Sequence, residues 1–147
     1  ISYRDALTGA KNRGCFYEDL KGYIGKELYL AYCDLDNFKV VNDTLGHAEG
    51  DRVLCDCMGA LVAEFGDEYV YRLGGDEFAV IYTRVDSCEL LERLKKVSNV
   101  VSGLTEERIG LGMSCGVSHT NDLQDIEVFV RKGDEDMYRV KGDRKRD

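Results

Sequence analysis

Long hydrophobic runs are missing from this sequence. No apolar stretch approaches the roughly 18 residues a membrane helix needs, and no secretory leader is visible. Direct contact of the domain with a membrane is therefore not expected. Positive charge is also in short supply: 20 Lys and Arg stand against 28 Asp and Glu, a net charge of −8. A domain devoted to nucleic-acid phosphates needs clustered cations, so that class is excluded. An acidic protein can still bind a nucleotide when metal ions stand between its carboxylates and the phosphates. Cys-x-x-Cys pairs are absent although there are six cysteines (Cys15, Cys33, Cys55, Cys57, Cys88 and Cys115). The closest pair, Cys55 and Cys57, falls in a helical pattern where i and i+2 do not share a face. The expectation is reduced, mostly buried structural thiols in a cytoplasmic setting. A P-loop is absent too, and Gly110-x-Gly112 lacks the third glycine of a dinucleotide turn. His47 and His119 have no zinc-site context, and Ser114 and Ser118 no nucleophile pattern.

What is present fits one domain of 147 residues with one core. The chain begins at Ile1 without a Met, so a domain taken from a longer protein is expected. Phe16, Leu20 and Ile24 predict a helix over 13–26, after Asn12 as N-cap. Residues 28–35 are too short and too apolar for anything but a buried strand. Phe38, Val41 and Leu45 mark a second helix ended by Gly46, and residues 49–65 a third. Two strand-like runs, 69–73 and 77–83, meet at Gly74 and Gly75, a hairpin signal because both glycines tolerate positive φ. A helix over 87–104 with Leu90, Leu91, Leu94, Val97 and Val101 inward, a strand over 109–117 and a helix over 123–141 complete the order. Strands separated by helices, plus one hairpin, predict an α/β or α+β sheet with helices packed on it.

Two carboxylate clusters carry the chemistry. Asp34 and Asp36 close the first strand, and Asp76 and Glu77 follow the Gly-Gly pair. An acid at the end of a buried strand needs a counter-charge, and a divalent cation with hard oxygen ligands is a suitable one. Asp34 beside Asp76 would hold such ions for phosphoryl transfer. The alternatives are that Asp34 and Asp36 are turn and helix-cap residues and that residues 74–77 form an ordinary exposed turn. A calcium loop is excluded, because Lys39 and Leu45 stand where it needs Gly and Glu. The helix after Asp36 offers free N–H groups to an anion. Asn42 and Asp51 lie further on; a carboxylate there would select guanine, and helix capping by Asp51 is the competing reading.

Residues 72–78 read Arg-Leu-Gly-Gly-Asp-Glu-Phe and contain the full GGDEF signature, so the chain resembles the diguanylate cyclase family. Asp34, Asp36, Asn37, Phe38 and Lys39, then Asn42, Asp43, Gly46, His47, Gly50 and Asp51, resemble that family's metal and guanine segment. Asp5, Leu7, Thr8, Asn12 and Arg13 resemble its opening motif, and Asp134, Met137, Tyr138 and Lys141 its closing helix. The resemblance implies a central, mostly antiparallel sheet flanked by helices, with the palm-like architecture of nucleotidyl cyclases. It implies Mg²⁺ (Mn²⁺ as substitute) on Asp34, the Leu35 carbonyl and Asp76, with Glu77 supporting the site or removing the 3′-hydroxyl proton. It makes Asn42 and Asp51 the guanine readers, and lets Gly74 and Gly75 bring backbone close to the nucleotide. The amides of Asp36, Asn37 and Phe38 with Lys141 would hold the outer phosphates, helped by Arg144 or Lys145. Two GTP would become cyclic di-GMP between two copies of the domain, brought together by an upstream sensor or dimerisation segment. The alternative is a non-catalytic module that binds GTP or cyclic di-GMP.

Three departures stand out. The family's product-inhibition site is Arg-x-x-Asp, whereas residues 65–68 read Phe-Gly-Asp-Glu, which predicts weak or absent feedback inhibition. The family usually places an Arg four positions after Lys141, whereas here the segment is a compressed Gly142, Asp143, Arg144, Lys145. Gly133 stands where the family usually has Ala, a small expected loss of helix stability.

Overall fold

The computed structural model describes residues 2–84 and 86–146, with side chains to Gly142. Strand β1 (Leu28–Asp36) is central, between β3 (Glu77–Tyr82) and β4 (Gly112–Thr120), and β2 (Val70–Gly74) is the outer partner of β3. Every neighbouring pair is antiparallel, in the order β2-β3-β1-β4. Among the described residues the α-helices are α1 (Arg13–Lys21), α2 (Phe38–Leu45), α3 (His47–Phe65), α4 (Ser87–Ser102) and α5 (Ile126–Arg146). Two crossovers, β1-α2-α3-β2 and β3-α4-β4, make this a split βαβ arrangement.

The period-2 alternation of the strands sorts the core into two layers. Ala31, Cys33, Leu35, Phe78 and Val80 pack with Val53, Leu61, Leu90 and Val97 of α3 and α4. Leu30, Tyr32, Tyr71, Ala79 and Ile81 pack with Phe16, Leu20, Phe129 and Met137 of α1 and α5. The even-numbered residues of β1 therefore face α1 and α5, and Asp34 is one of them. Close approach of α5 is made possible by Gly116 of β4: a Cβ there would lie 2.0 Å from the Met137 backbone nitrogen.

Several boundaries differ from the sequence expectation. Helix α1 stops at Lys21, capped by the Gly22 amide on Asp19 and Leu20, so Ile24 is 45% exposed rather than in the core. Leu91 is 56% exposed, because it lies about 100° round the helix from buried Leu90. Strand β4 begins at Gly112, not at 109: residues Glu107–Ile109 form a 3-10 turn ended by Gly110 at φ 72°. Leu123 precedes α5 and pairs with Ile24 instead of starting the helix. All six thiols are free; Cys15, Cys33 and Cys57 are buried, Cys55 and Cys115 half-buried, and Cys88 exposed.

Candidate active site

The hairpin is what carries the second acid cluster to the first. Gly74 (φ 146°) and Gly75 (φ 49°) adopt conformations open to glycine, and the ladder closes at Gly74 opposite Glu77. The tip is therefore Gly75 and Asp76, one residue later than the Gly-Gly pair itself suggests. That shift points Asp76 toward β1, where the Leu35 amide donates to the Asp76 carbonyl at 3.2 Å. Arg72 pins the tip from below. Its guanidinium donates to the Gly75 carbonyl at 2.8 and 3.1 Å and to Asp5 at 2.9 Å. Asp5 also accepts from the Thr8 amide and hydroxyl, both at 2.8 Å. Burial would raise the Asp5 carboxyl, but the bonds from Arg72 and Thr8 outweigh it and hold the group below its ordinary value. The opening motif thus braces the hairpin, a role its sequence did not announce.

Asp34 and Asp76 meet in one corner. Burial, then the adjacent Asp34 charge, push the Asp76 carboxyl up to about 6. Asp34 Oδ1 is buried without a hydrogen-bond partner. Its other oxygen accepts from the Lys141 ammonium at 3.0 Å, and the same ammonium donates to the Leu35 carbonyl at 2.9 Å. A cationic group of the chain therefore already lies against two of the three expected metal ligands. Asp134 of α5 is also raised, first by burial and then by the Asp34 charge. An orphaned carboxylate oxygen, a second carboxyl forced upward and a carbonyl aimed at a cation are a donor set that suits a divalent ion. Among the described residues no third His, Cys, Asp or Glu joins the pair. Such a pair leaves most of an ion's shell to water and phosphate, as a hard divalent cation permits.

Beside this corner opens a cleft of about 490 Å³ lined by Leu35, Asp36, Asn37, Phe38, Asp76 and Lys141, among others. It is large enough for a nucleotide's phosphates. Asn37 is the only described non-glycine residue with positive φ (63°), and its amide group donates to the Gly110 carbonyl at 2.7 Å. This left-handed turn aims the start of α2 into the cleft, and no side chain caps it. The cap reading of Asp36 does not hold. Its carboxylate instead accepts from the buried Ser114 hydroxyl at 2.7 Å.

The structure keeps Asn42 and Asp51 outside the lining of this cleft, beyond Phe38. A Cβ at Gly50 would meet Asn42 Oδ1 at 1.9 Å and the Phe38 ring at 3.4 Å, so the bare glycine lets Asn42 lie against α3 next to Asp51. Helix α3 starts at His47 with Gly46 as N-cap and no side-chain cap bond. Asp51 is in its second turn, exposed, and is not a cap. Glu77 accepts from the Tyr32 hydroxyl at 2.6 Å. Burial, then Glu77, drive the Tyr32 hydroxyl far up from its ordinary value. Tyr32 was not singled out from sequence, although it lies two residues before Asp34 on the same strand face. Arg144 and Lys145 lie outside the residues whose side chains are described. Phe65 is buried, with the Arg93 guanidinium 4.8 Å above its ring.

Comparison with known proteins adds the family. Probable diguanylate cyclase DgcI of Escherichia coli K12 is 41% identical over 142 residues, covering 95% of this chain and 31% of its own length. Diguanylate cyclase DgcN of the same organism is 35% identical, covering 95% of this chain and 37% of its own. The chain thus spans about a third of these relatives. Among solved structures, diguanylate cyclase SiaD of Pseudomonas aeruginosa, in complex with its activator SiaC, has TM-score 0.83 at 31% identity, over 97% of this chain and 59% of that one. The GGDEF domain of DgcB from Caulobacter crescentus, in complex with c-di-GMP, has TM-score 0.83 at 26% identity, over 96% and 91%. Residues 2–147 match the family described as "Diguanylate cyclase, GGDEF domain", and the chain belongs to that family.

Proposed function

We propose that this domain is a diguanylate cyclase that converts two GTP into cyclic di-GMP and two pyrophosphates, with Mg²⁺ as cofactor and Mn²⁺ able to replace it. The observation that carries the reading is the single corner in which Asp34, Asp76, the Leu35 carbonyl and Lys141 meet at the start of α2. When bound to Asp34, Asp76 and the Leu35 carbonyl, the cation would neutralise phosphate charge and polarise the phosphoryl group. The chain's own residues do the rest. The amides of residues 36–38 receive the outer phosphates at the positive end of α2. Lys141 exchanges its present carboxylate partner for those phosphates. Asp51 accepts from the guanine N1–H and N2–H₂ edge, and Asn42 bonds the same base. Gly74 and Gly75 leave open space beside the hairpin, since a Cβ at either would meet nothing within 4 Å.

One GTP per domain supplies half of the ring. Closure needs a second copy facing the first, so that each 3′-hydroxyl attacks the other nucleotide's α-phosphorus and pyrophosphate leaves. Glu77 takes the hydroxyl proton or steadies the corner while it departs. No covalent intermediate with the protein is needed; catalysis is positioning and charge neutralisation. A sensor or dimerisation segment elsewhere in the full-length protein brings the copies together, and a cytoplasmic setting is part of the same reading, because it supplies GTP and keeps thiols reduced. The acids of both clusters are retained and gathered, which favours turnover over a silent binding module. Incubation with Mg²⁺ and GTP, with Asp34→Asn and Asp76→Asn alongside, tests this. Product from the wild type alone supports the reading. Equal product from all three removes the metal assignment, and GTP binding without product from any points to the binding module.

A further inference from the structure

Glu77 has three rotatable side-chain bonds and lies beside the corner, opposite Asp34 in the β1–β3 register. A long carboxylate so placed needs something to hold it, because each freely rotating side chain must lose entropy to act in one geometry. The only described residue that bonds its carboxylate is Tyr32, whose hydroxyl donates to Oε2 at 2.6 Å. The other oxygen, Oε1, has no donor among the described residues.

We propose that Tyr32 is a positioning residue for the cyclase reaction: it ties one oxygen of Glu77 and leaves the other turned to the reacting groups. The inference rests on the cyclase reading above and specifies how one of its acids is aimed. Tyr32 is well built for the role. It sits directly opposite Ala79 in the ladder, two residues from Glu77 on the same face, so the two side chains are diagonal neighbours. It is 5% exposed, in the layer between the sheet and α1 and α5. Gly133 brings α5 onto it: a Cβ there would lie 3.4 Å from the Tyr32 Cβ. The ring is fixed by packing, and the hydroxyl is its single polar atom. A Phe here would keep the ring in the core, so core packing alone does not call for the hydroxyl.

The test is a double-mutant cycle with Tyr32→Phe and Glu77→Gln, reading cyclic di-GMP formation at saturating Mg²⁺ and GTP. Tyr32→Phe keeps the ring and removes only the donor. We expect kcat to fall roughly tenfold to a hundredfold, the range for a lost hydrogen bond to a charged group, with KM for GTP within about twofold because no substrate contact is lost. In the Glu77→Gln background the same change should alter kcat less than about twofold, since the group it aims is already gone. An unchanged kcat in Tyr32→Phe, or an equal fall in both backgrounds, overturns the proposal. A fall in KM-dependent binding alone overturns it as well. Failure of the cyclase reading looks different: the wild type itself then makes no product. Tyrosine ¹³Cζ NMR checks the contact without turnover, with the Tyr32 resonance shifting in Glu77→Gln if the bond exists and staying put if it does not.

Discussion

The two halves of the proposed site are held in different ways. The corner of Asp34 and Asp76 is over-determined: a β-ladder, a pinned hairpin tip, an ammonium and a bare carboxylate oxygen all converge on it. The half made of Asn42 on α2 and Asp51 on α3 is loosely specified. Gly50 makes room for Asn42, Asp51 is exposed, and no hydrogen bond among the described residues fixes either side chain. Catalytic charge must be placed before substrate arrives, because electrostatic stabilisation works best when nothing has to reorganise. Base recognition can be completed by the ligand, which brings its own donors. A half-buried like-charge pair and a more open pair of polar side chains are therefore expected to fail differently when mutated.

The sharpest way to break that contrast is to neutralise the corner. Asp34→Asn or Asp76→Asn should lower cyclic di-GMP formation at least about a hundredfold, as for other losses of transition-state charge stabilisation. Product formation within a few-fold of wild type would show that the corner is not the catalytic centre. Asp51→Ala should do less to rate and more to choice: discrimination between GTP and ATP falls by about tenfold or more, because a site that hydrogen-bonds a donor edge rejects bases lacking it. Competition between the two nucleotides reads this, and unchanged discrimination would move the guanine site elsewhere.

Next in size is the support beneath the corner. Gly116→Ala would push a Cβ into the α5 backbone, 2.0 Å from Met137 N and 2.4 Å from Gly133 O. Overpacking of this kind destabilises by about 1–3 kcal/mol, and chemical denaturation should show it. Gly133→Ala meets only side-chain atoms, none closer than 3.4 Å, so it should be neutral or slightly stabilising, about 0.5–1 kcal/mol from helix propensity.

Smaller still is the pH signature of the corner. Asp76 stands at about 6 against an ordinary 3.8. Below pH 3.8 the folded and unfolded forms both keep the proton, so the group has no effect. Between those values the unfolded chain releases its proton first, and stability falls as pH rises; above 6 the full penalty remains. Without divalent cation, Asp76→Asn should therefore raise the melting temperature by about 3 °C at pH 8 and leave it unchanged near pH 4. Mg²⁺ should narrow that gap by stabilising the wild type more. Equal melting temperatures at pH 8 would mean that burial and the Asp34 charge together do not penalise the ionised Asp76. Feedback is the mildest effect. Phe65 is turned into the core under Arg93, so micromolar cyclic di-GMP should leave the initial rate nearly unchanged, whereas inhibition with product bound near Phe65 would refute this.

Much of the loosely held half was legible in sequence only through family motifs. Asn42 and Asp51 have no local pattern that separates reading a base from capping a helix. The over-determined half was legible from chemistry, because acids at the end of an apolar strand and after two glycines demand an explanation. The element order was readable from periodicity, and the errors lie where periodicity is silent. Gly22 ended α1 before Ile24, and a 3-10 turn over Glu107–Ile109, ended by Gly110, delayed a strand whose alternation starts at 109 in the sequence. Adjacent leucines at 90 and 91 could not both face inward. The braces, Arg72 to Asp5 and Tyr32 to Glu77, span 67 and 45 residues. No local window contains both partners, so only the folded chain reveals them.

A crystal structure with Mn²⁺ and a slowly hydrolysed GTP analogue tests the central claim most directly, because anomalous scattering locates the ion independently of the chain. The ion should lie on Asp34, Asp76 and the Leu35 carbonyl, with the Lys141 ammonium withdrawn from Asp34 onto the phosphates. An ion bound elsewhere, or an ordered analogue with Lys141 still seated between Asp34 and Leu35, would contradict the account.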